Sequence, residues 1–333
     1  MNQEFKASLK SADTEEHIDI YFYRPIGYQW ARFFRMLHVT PNVVTILSIF
    51  LGVGAGICFY FDDLAINILG IFLLIWANVY DSCDGQLARL TNQKSALGRI
   101  LDGAAGDFWF VSIYFAISFR LMPEWGWKIW ALCIVAGFGC HAIQSRLADY
   151  YRQIHLFFLK GKEGSELDKS EEQWRIFREQ PKKALFFRAF YYNYAKYCAT
   201  QERRTKNFQL MMAEATNRYG APLNLPAALK EEFLAGSRPL MKYTNLLTFN
   251  MRAIALYIAC LIDLPWLYLL FEIVVMNIMY IYMHHEHENL CHKMVQRIVA
   301  CSEAKATKEN ENKEESDENK ESEDCHNTDI KED

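Results

Sequence analysis

The chain has 333 residues, enough for one large domain or two small ones, and 51% of them are hydrophobic with an aromatic share of 15%. A formal net charge of −4 gives no electrostatic footing for nucleic acid as a partner. The nine cysteines show no Cys-x-x-Cys spacing and several sit in apolar stretches, so they read as reduced, small hydrophobic residues.

In chain order, residues 1–18 are polar and are expected to be poorly ordered, and the first 40 residues show no signal-peptide pattern. From about Ile18 to Leu37, aromatic residues alternate with Arg24, Arg32 and Arg35, which predicts an amphipathic helix in a membrane interface. Six apolar segments follow, each near the ~20 residues a bilayer crossing needs. They are about Pro41–Tyr60, Leu64–Asp81, Gly98–Phe119, Trp127–Ser145, Leu246–Ile262 and Leu264–Met283. The loops on one side carry only Arg120 and Lys128, whereas Arg89, Lys94, Arg99 and the basic stretch after Arg146 lie on the other. By the distribution of Lys and Arg, both termini and the aspartate-rich stretch Asp81–Asp107 face the cytosol.

The expected fold is thus an all-α integral membrane protein with six transmembrane helices, an N-terminal interfacial helix and a helical cytosolic insertion. Its parts are an N-terminal segment (1–40), helices one to four (41–145), the insertion (146–244), helices five and six (245–284) and a tail (285–333). The tail, rich in Glu, Lys, Asn and Ser, reads as acidic and disordered from about residue 302.

The chemistry concentrates between the second and third segments. On a helix, Asp81, Asp84, Gly85 and Ala88 follow i, i+3, i+4, i+7 and share one face. A short antiparallel turn brings Gly98 and Asp102 to matching depth. Three or four carboxylates then converge, and such crowding of like charge calls for a cation. Oxygen ligands favour Mg²⁺ or Mn²⁺, and two such ions clamping a diphosphate is a natural use of the site.

The run Asp81-x2-Asp84-Gly85-x2-Ala88-Arg89-x8-Gly98-x3-Asp102 resembles the signature of the CDP-alcohol phosphatidyltransferase family. Pro41-Asn42-x2-Thr45 resembles the opening of that family's first membrane helix, and Arg24-Pro25-Ile26 with Arg32 looks most like its inositol-phosphate-transferring branch. The resemblance covers roughly residues 18–150 and, more loosely, the last two helices. It implies a membrane enzyme, a homodimer, with two divalent ions held by Asp81, Asp84 and Asp102. Gly85, Ala88 and Gly98 would line a cytidine pocket, with Asn42, Thr45 and Arg89 near the diphosphate. A CDP-linked lipid such as CDP-diacylglycerol would donate a phosphatidyl group to a polar alcohol, releasing CMP.

One departure stands out. The family pattern expects an aspartate four residues after Asp102, where this chain has Gly106, with Asp107 following. A five-residue step on a regular α-helix turns about 140° away. A π-bulge between them would return Asp107 to the cage as fourth metal ligand and base, and Gly103 and Gly106 would ease it.

For the acceptor, Arg146, Arg238, Lys242 and Arg252 form a candidate cationic set suited to inositol phosphate. Equally, the first three are ordinary positive-inside residues, and Arg252 pairs with Glu272, both about 12–17 Å deep by helix rise. Glycerol phosphate, serine and the CDP-choline or CDP-ethanolamine reactions remain alternatives for the chemistry. A transporter and a non-catalytic nucleotide-binding protein are the alternatives to an enzyme. His284, His285, His287 and His292, close to the last membrane segment, read as a solvated helix end.

Overall fold

The computed structural model describes residue 5 and residues 13–93 and 96–328. Lys94, counted above for orientation, lies outside the described residues, as does the tail beyond Thr328. The described residues are overwhelmingly helical, with no strand among them. Among the described residues, five helices are long and apolar enough to cross a membrane: Pro41–Tyr60, Leu64–Thr91, Lys128–Lys160, Ala227–Leu261 and Trp266–Lys308. They fit a multi-pass membrane protein. The expected third segment lies within a further helix, Ala96–Trp125, whose Asp102, Asp107, Arg120 and Glu124 dilute its apolar character.

The α-helices in order are α1 (Arg24–Met36), α2 (Pro41–Tyr60), α3 (Leu64–Thr91), α4 (Ala96–Trp125), α5 (Lys128–Ile134) and α6 (Ala142–Lys160). There follow α7 (Ser170–Glu179), α8 (Leu185–Arg204), α9 (Lys206–Tyr219), α10 (Ala227–Ser237), α11 (Met241–Leu246), α12 (Phe249–Leu261), α13 (Trp266–Leu270) and α14 (Asn277–Thr328). Among the described residues are three π-helical segments: Asp19–Tyr23 leads into α1, Val135–His141 joins α5 to α6, and Phe271–Met276 joins α13 to α14.

The chain divides into two compact units, residues 1–154 with 238–284, and residues 155–237 with 285–333. In the first, α2 begins with Pro41 at its first turn after the extended Thr40, the position where a missing N–H costs nothing. Small residues let α2 lie close against α4: Gly52 sits under the Trp109 indole and Gly56 against Ser112, where an added Cβ would collide. Asp63 caps α3, its carboxylate accepting from the Ile66 amide at 2.9 Å, and Asn92 ends the helix in the left-handed region at φ 54°. At the opposite end of α4 from the aspartates, Arg120 donates to the Phe59 carbonyl and Asn67 (both 3.3 Å), Asp62 (3.1 Å) and Asp263 (2.5 Å). One guanidinium thereby ties three helix ends together. Apolar side chains such as Phe50, 71% exposed, point outward from these helices, as lipid-facing residues do.

Helix α1 places Ala31 and Phe34 against Cys83 and Leu87 of α3, while Phe33 and Met36 remain exposed. It has the two-faced character expected of an interfacial helix.

In the second unit, α7 and α8 form an antiparallel pair joined by Trp174–Tyr192 and Phe177–Tyr192 edge contacts. Glu202 of α8 caps α7, accepting from the Ser170 amide at 2.8 Å. Helix α10 packs on α14 through Gly236 against Leu290. Helix α14 continues to Thr328, through the stretch that composition marks as disordered. Glu and Lys are good helix formers, and pairs four residues apart extend such a helix without any core.

Candidate metal and nucleotide site

Asp81 and Asp84 stand three residues apart on α3, and α4 brings Asp102 to them. One oxygen from each lies within 4.8 Å of the others. Asp84 is the most enclosed, with 3% of its surface exposed. The Thr45 hydroxyl of α2 makes a short hydrogen bond to its carboxylate and lies 3.2 Å from the Pro41 carbonyl. Helix α2 therefore fixes the orientation of a carboxylate carried by α3. Three hard oxygen donors at this range can hold a divalent cation, and their mutual repulsion favours one.

Around them, Asn42 is half-buried one turn before Thr45, and Gly85, Ala88 and Gly98 are half-buried on the two facing helices. The Arg89 guanidinium lies over Gly85, 3.4 Å from where a Cβ would stand. Arg89 shares its surroundings with Arg24, Glu15, Asp102 and Asp84. Glycine at position 85 keeps this face flat.

Asp107 is not in the trio. Helix α4 is α-helical from Ala96 to Trp125, with no π turn between Asp102 and Asp107. The side chain instead lines a separate cavity of about 150 Å³ with Phe110, Tyr114, Phe138, His141 and Arg146. A Cβ at Gly103 or Gly106 would meet nothing within 4 Å, so both glycines face open space. Gly106, at about 40° from Asp102, holds the cage-facing position.

Behind the cavity lies a buried polar network. Tyr114 Oη is 3.1 Å from His141 Nδ1 and 3.2 Å from Tyr268 Oη, and Tyr268 donates to Glu272 at 2.7 Å. Arg252, 1% exposed, pairs with Glu272 and donates to Gln144 (2.9 Å) and to the Leu247 carbonyl (3.2 and 3.0 Å). The guanidinium is fully engaged inside the protein. Two π segments meet here, His141 closing one and Glu272 lying in the other. Of the other candidate cations, Arg146 lines the cavity, Arg238 pairs with Asp13 at 3.1 Å, and Lys242 is exposed on α11.

The N-terminal strap was not legible as structure in the sequence. Glu15 pairs with Arg24 at 2.8 Å; Glu16 accepts from Thr248 (3.3 Å) and Asn250 (2.9 Å), and Asp19 accepts from Asn250 (3.1 Å). Burial pushes the Glu16 and Asp19 carboxyls above the usual range, against the lowering effect of Asn250.

Residues 38–157 match the family model described as CDP-alcohol phosphatidyltransferase. An Aquifex aeolicus (strain VF5) protein described as uncharacterized is 36% identical over 88 residues, which is 26% of this chain and 43% of that protein. A second protein of that organism, described as a bifunctional IPC transferase and DIPP synthase, is 31% identical over 101 residues, 29% of this chain and 22% of that protein. The chain spans less than half the length of either curated relative. The matched segment holds Asp81, Asp84, Asp102 and Thr45, so the residues that the fold gathers into one site lie in the part of the chain that is similar to the CDP-alcohol phosphatidyltransferase family.

Proposed function

We propose that the chain transfers a phosphatidyl group from a CDP-linked lipid, CDP-diacylglycerol first, to a polar alcohol, with release of CMP. The observation that carries this reading is the convergence of Asp81, Asp84 and Asp102 from two helices, with Thr45 holding Asp84. In this reading α4 is a sixth span, both termini and the site face the cytosol, and two copies form a homodimer. A bound Mg²⁺ or Mn²⁺ pair would neutralise the diphosphate and stabilise the leaving group. Asn42, Thr45 and Arg89 orient the diphosphate, and Gly85, Ala88 and Gly98 leave a flat bed for the cytosine ring.

The acceptor enters from the Arg146 side, and inositol phosphate is the first choice. Its phosphate suits a guanidinium, and the second Aquifex aeolicus relative is described as a bifunctional IPC transferase and DIPP synthase. Arg238 and Lys242 are further candidate contacts. Arg252 acts from a distance by fixing the helices. Asp107 takes the acceptor's proton in this reading, which requires α4 to rewind by one residue when substrates bind.

The test uses the purified full chain with CDP-diacylglycerol, Mg²⁺ or Mn²⁺, and a panel of inositol phosphate, glycerol phosphate and serine. CMP should appear with one acceptor only. No CMP with any acceptor, nor in the CDP-choline direction with a diradylglycerol, refutes the enzyme. Asp107→Asn should cut CMP release by about 10²-fold or more. A fully active Asp107→Asn would remove the base assignment while leaving the transfer itself intact.

A further inference from the structure

A second cluster of metal-binding side chains lies in the other unit, on α14 beyond its apolar stretch. His287, Glu288 and Cys291 each offer one donor atom, and these atoms lie within 4.8 Å of one another. His287 and Cys291 are four residues apart and so share a helix face, and both are fully buried. The sequence reading of a solvated helix end does not hold for His287. Edge contacts from Phe208 and Phe233, each with its ring centroid 6.3 Å away, fix the imidazole.

The spacing of the sulfur and nitrogen donors agrees with a shared tetrahedral ion. Cys291 Sγ stands 3.6 Å from His287 Nδ1. Zinc bonds of about 2.3 Å to sulfur and about 2.0–2.1 Å to nitrogen, at a tetrahedral angle, separate the two donors by about 3.6 Å. Glu288 is held in place from behind. Its Oε2 accepts from the Asn207 amide at 2.8 Å, and its backbone carbonyl accepts from Asn207 Nδ2 at 3.1 Å. Its other oxygen, Oε1, is buried with no hydrogen-bond partner. A buried carboxylate oxygen left unmatched next to a thiol and an imidazole is suited to a cation, and Asn207 supplies the outer hydrogen bond that ligating carboxylates usually have.

We propose that His287, Glu288 and Cys291 bind a zinc-type cation, with the fourth position open to water or an outside ligand. A sulfur–nitrogen–oxygen set selects a borderline-soft ion, unlike the all-oxygen trio of Asp81, Asp84 and Asp102. Because Asn207 opens α9, the ion also fastens the start of α9 to α14 through Glu288.

The test loads Co²⁺ into the chelator-treated full chain in detergent, with excess Mg²⁺ present to occupy the aspartate trio. A thiolate-to-cobalt charge-transfer band in the near ultraviolet is expected. It should vanish in Cys291→Ser and persist in Asp84→Asn. No band in the wild-type chain, or a band that survives in Cys291→Ser, overturns the proposal. Should Cys291→Ser fail to fold, zinc X-ray absorption of the unmodified protein decides: one sulfur neighbour supports the site, and a shell of only nitrogen and oxygen overturns it. Hydrogen exchange at the N-terminus of α9 should slow on adding zinc; unchanged exchange removes the fastening role. None of these readouts depends on transferase activity, so this proposal and the transferase reading fail separately.

Discussion

Replacing Asp84 with asparagine should make the metal-free protein more stable and the enzyme nearly inactive, an opposition that a purely structural carboxylate would not produce. Asparagine keeps the size of the side chain and an oxygen for the Thr45 hydroxyl. What it removes is charge. With the three carboxylates within 4.8 Å of one another, each pair repels by about 3 kcal/mol at an effective dielectric of about 20. The substitution deletes two of the three pairs, and water around the half-buried Asp81 makes twice that figure a ceiling. In chelator, Asp84→Asn should therefore unfold at a higher temperature than the wild type. Added Mg²⁺ should raise the wild-type midpoint and move the variant's much less, because a cation binds the folded cage alone. CMP release should fall by about 10²–10³-fold, the scale for losing one group that stabilises transition-state charge. The paired assay is thermal unfolding with and without Mg²⁺, alongside CMP release. A variant that melts lower in chelator, or that turns over at the wild-type rate, refutes the cage.

Two further predictions concern groups away from the cage. Arg252→Met leaves Glu272 buried with its charge uncompensated and should cost about 3–5 kcal/mol, most of which Arg252→Met with Glu272→Leu should recover. Denaturant unfolding in detergent checks both, and a single variant within about 1 kcal/mol of wild type would mean that the pair is not desolvated. The strap should loosen as pH rises. The Glu16 and Asp19 carboxyls are raised by burial, with Arg152 and Arg24 opposing and each other or Glu15 reinforcing. The folded chain thus holds their protons more tightly than the unfolded one, and this stabilisation is complete below the ordinary carboxyl range. It is lost as pH climbs through the raised folded values. Hydrogen exchange of the amides from Thr14 to Tyr23, corrected for intrinsic rate, should speed up across that window in wild type and be flat in Glu16→Gln with Asp19→Asn; a flat wild type contradicts the sign.

The aspartate trio was legible because its information is local. Asp81 and Asp84 are one helical step apart, and the turn to α4 is short enough that little else could face them. The contact from Thr45 was not, since it depends on how closely α2 approaches α3, where Gly70 lies against Cys58 and Phe59. Arg252 and Glu272 could be matched by counting depth from a tight turn, and the structure pairs them. The strap was illegible because acidic residues in a polar stretch look solvated; only Thr248 and Asn250, more than two hundred residues later, take them out of water. His287 hid among neighbouring histidines. The one available signal was Cys291 four residues on, which composition had set aside as a small hydrophobe.

Asp107 shows where local reading ends. Gly103 and Gly106 permit both a regular turn and a bulge, so the sequence is neutral between an aspartate that completes the cage and one that faces elsewhere. The structure adopts the regular turn. The consequence is chemical. The cage is left with three carboxylates and an open face at Gly106, while Asp107 joins Arg146 and His141 around a cavity large enough for a small polar group. A fourth carboxylate fixed beside Asp102 would compete with an incoming hydroxyl for that face. In the proposed reaction, its place one residue on would leave that approach clear and set Asp107 beside Arg146. If Asp107 is the base, as in the proposed reaction, proton transfer would require one turn of α4 to rewind.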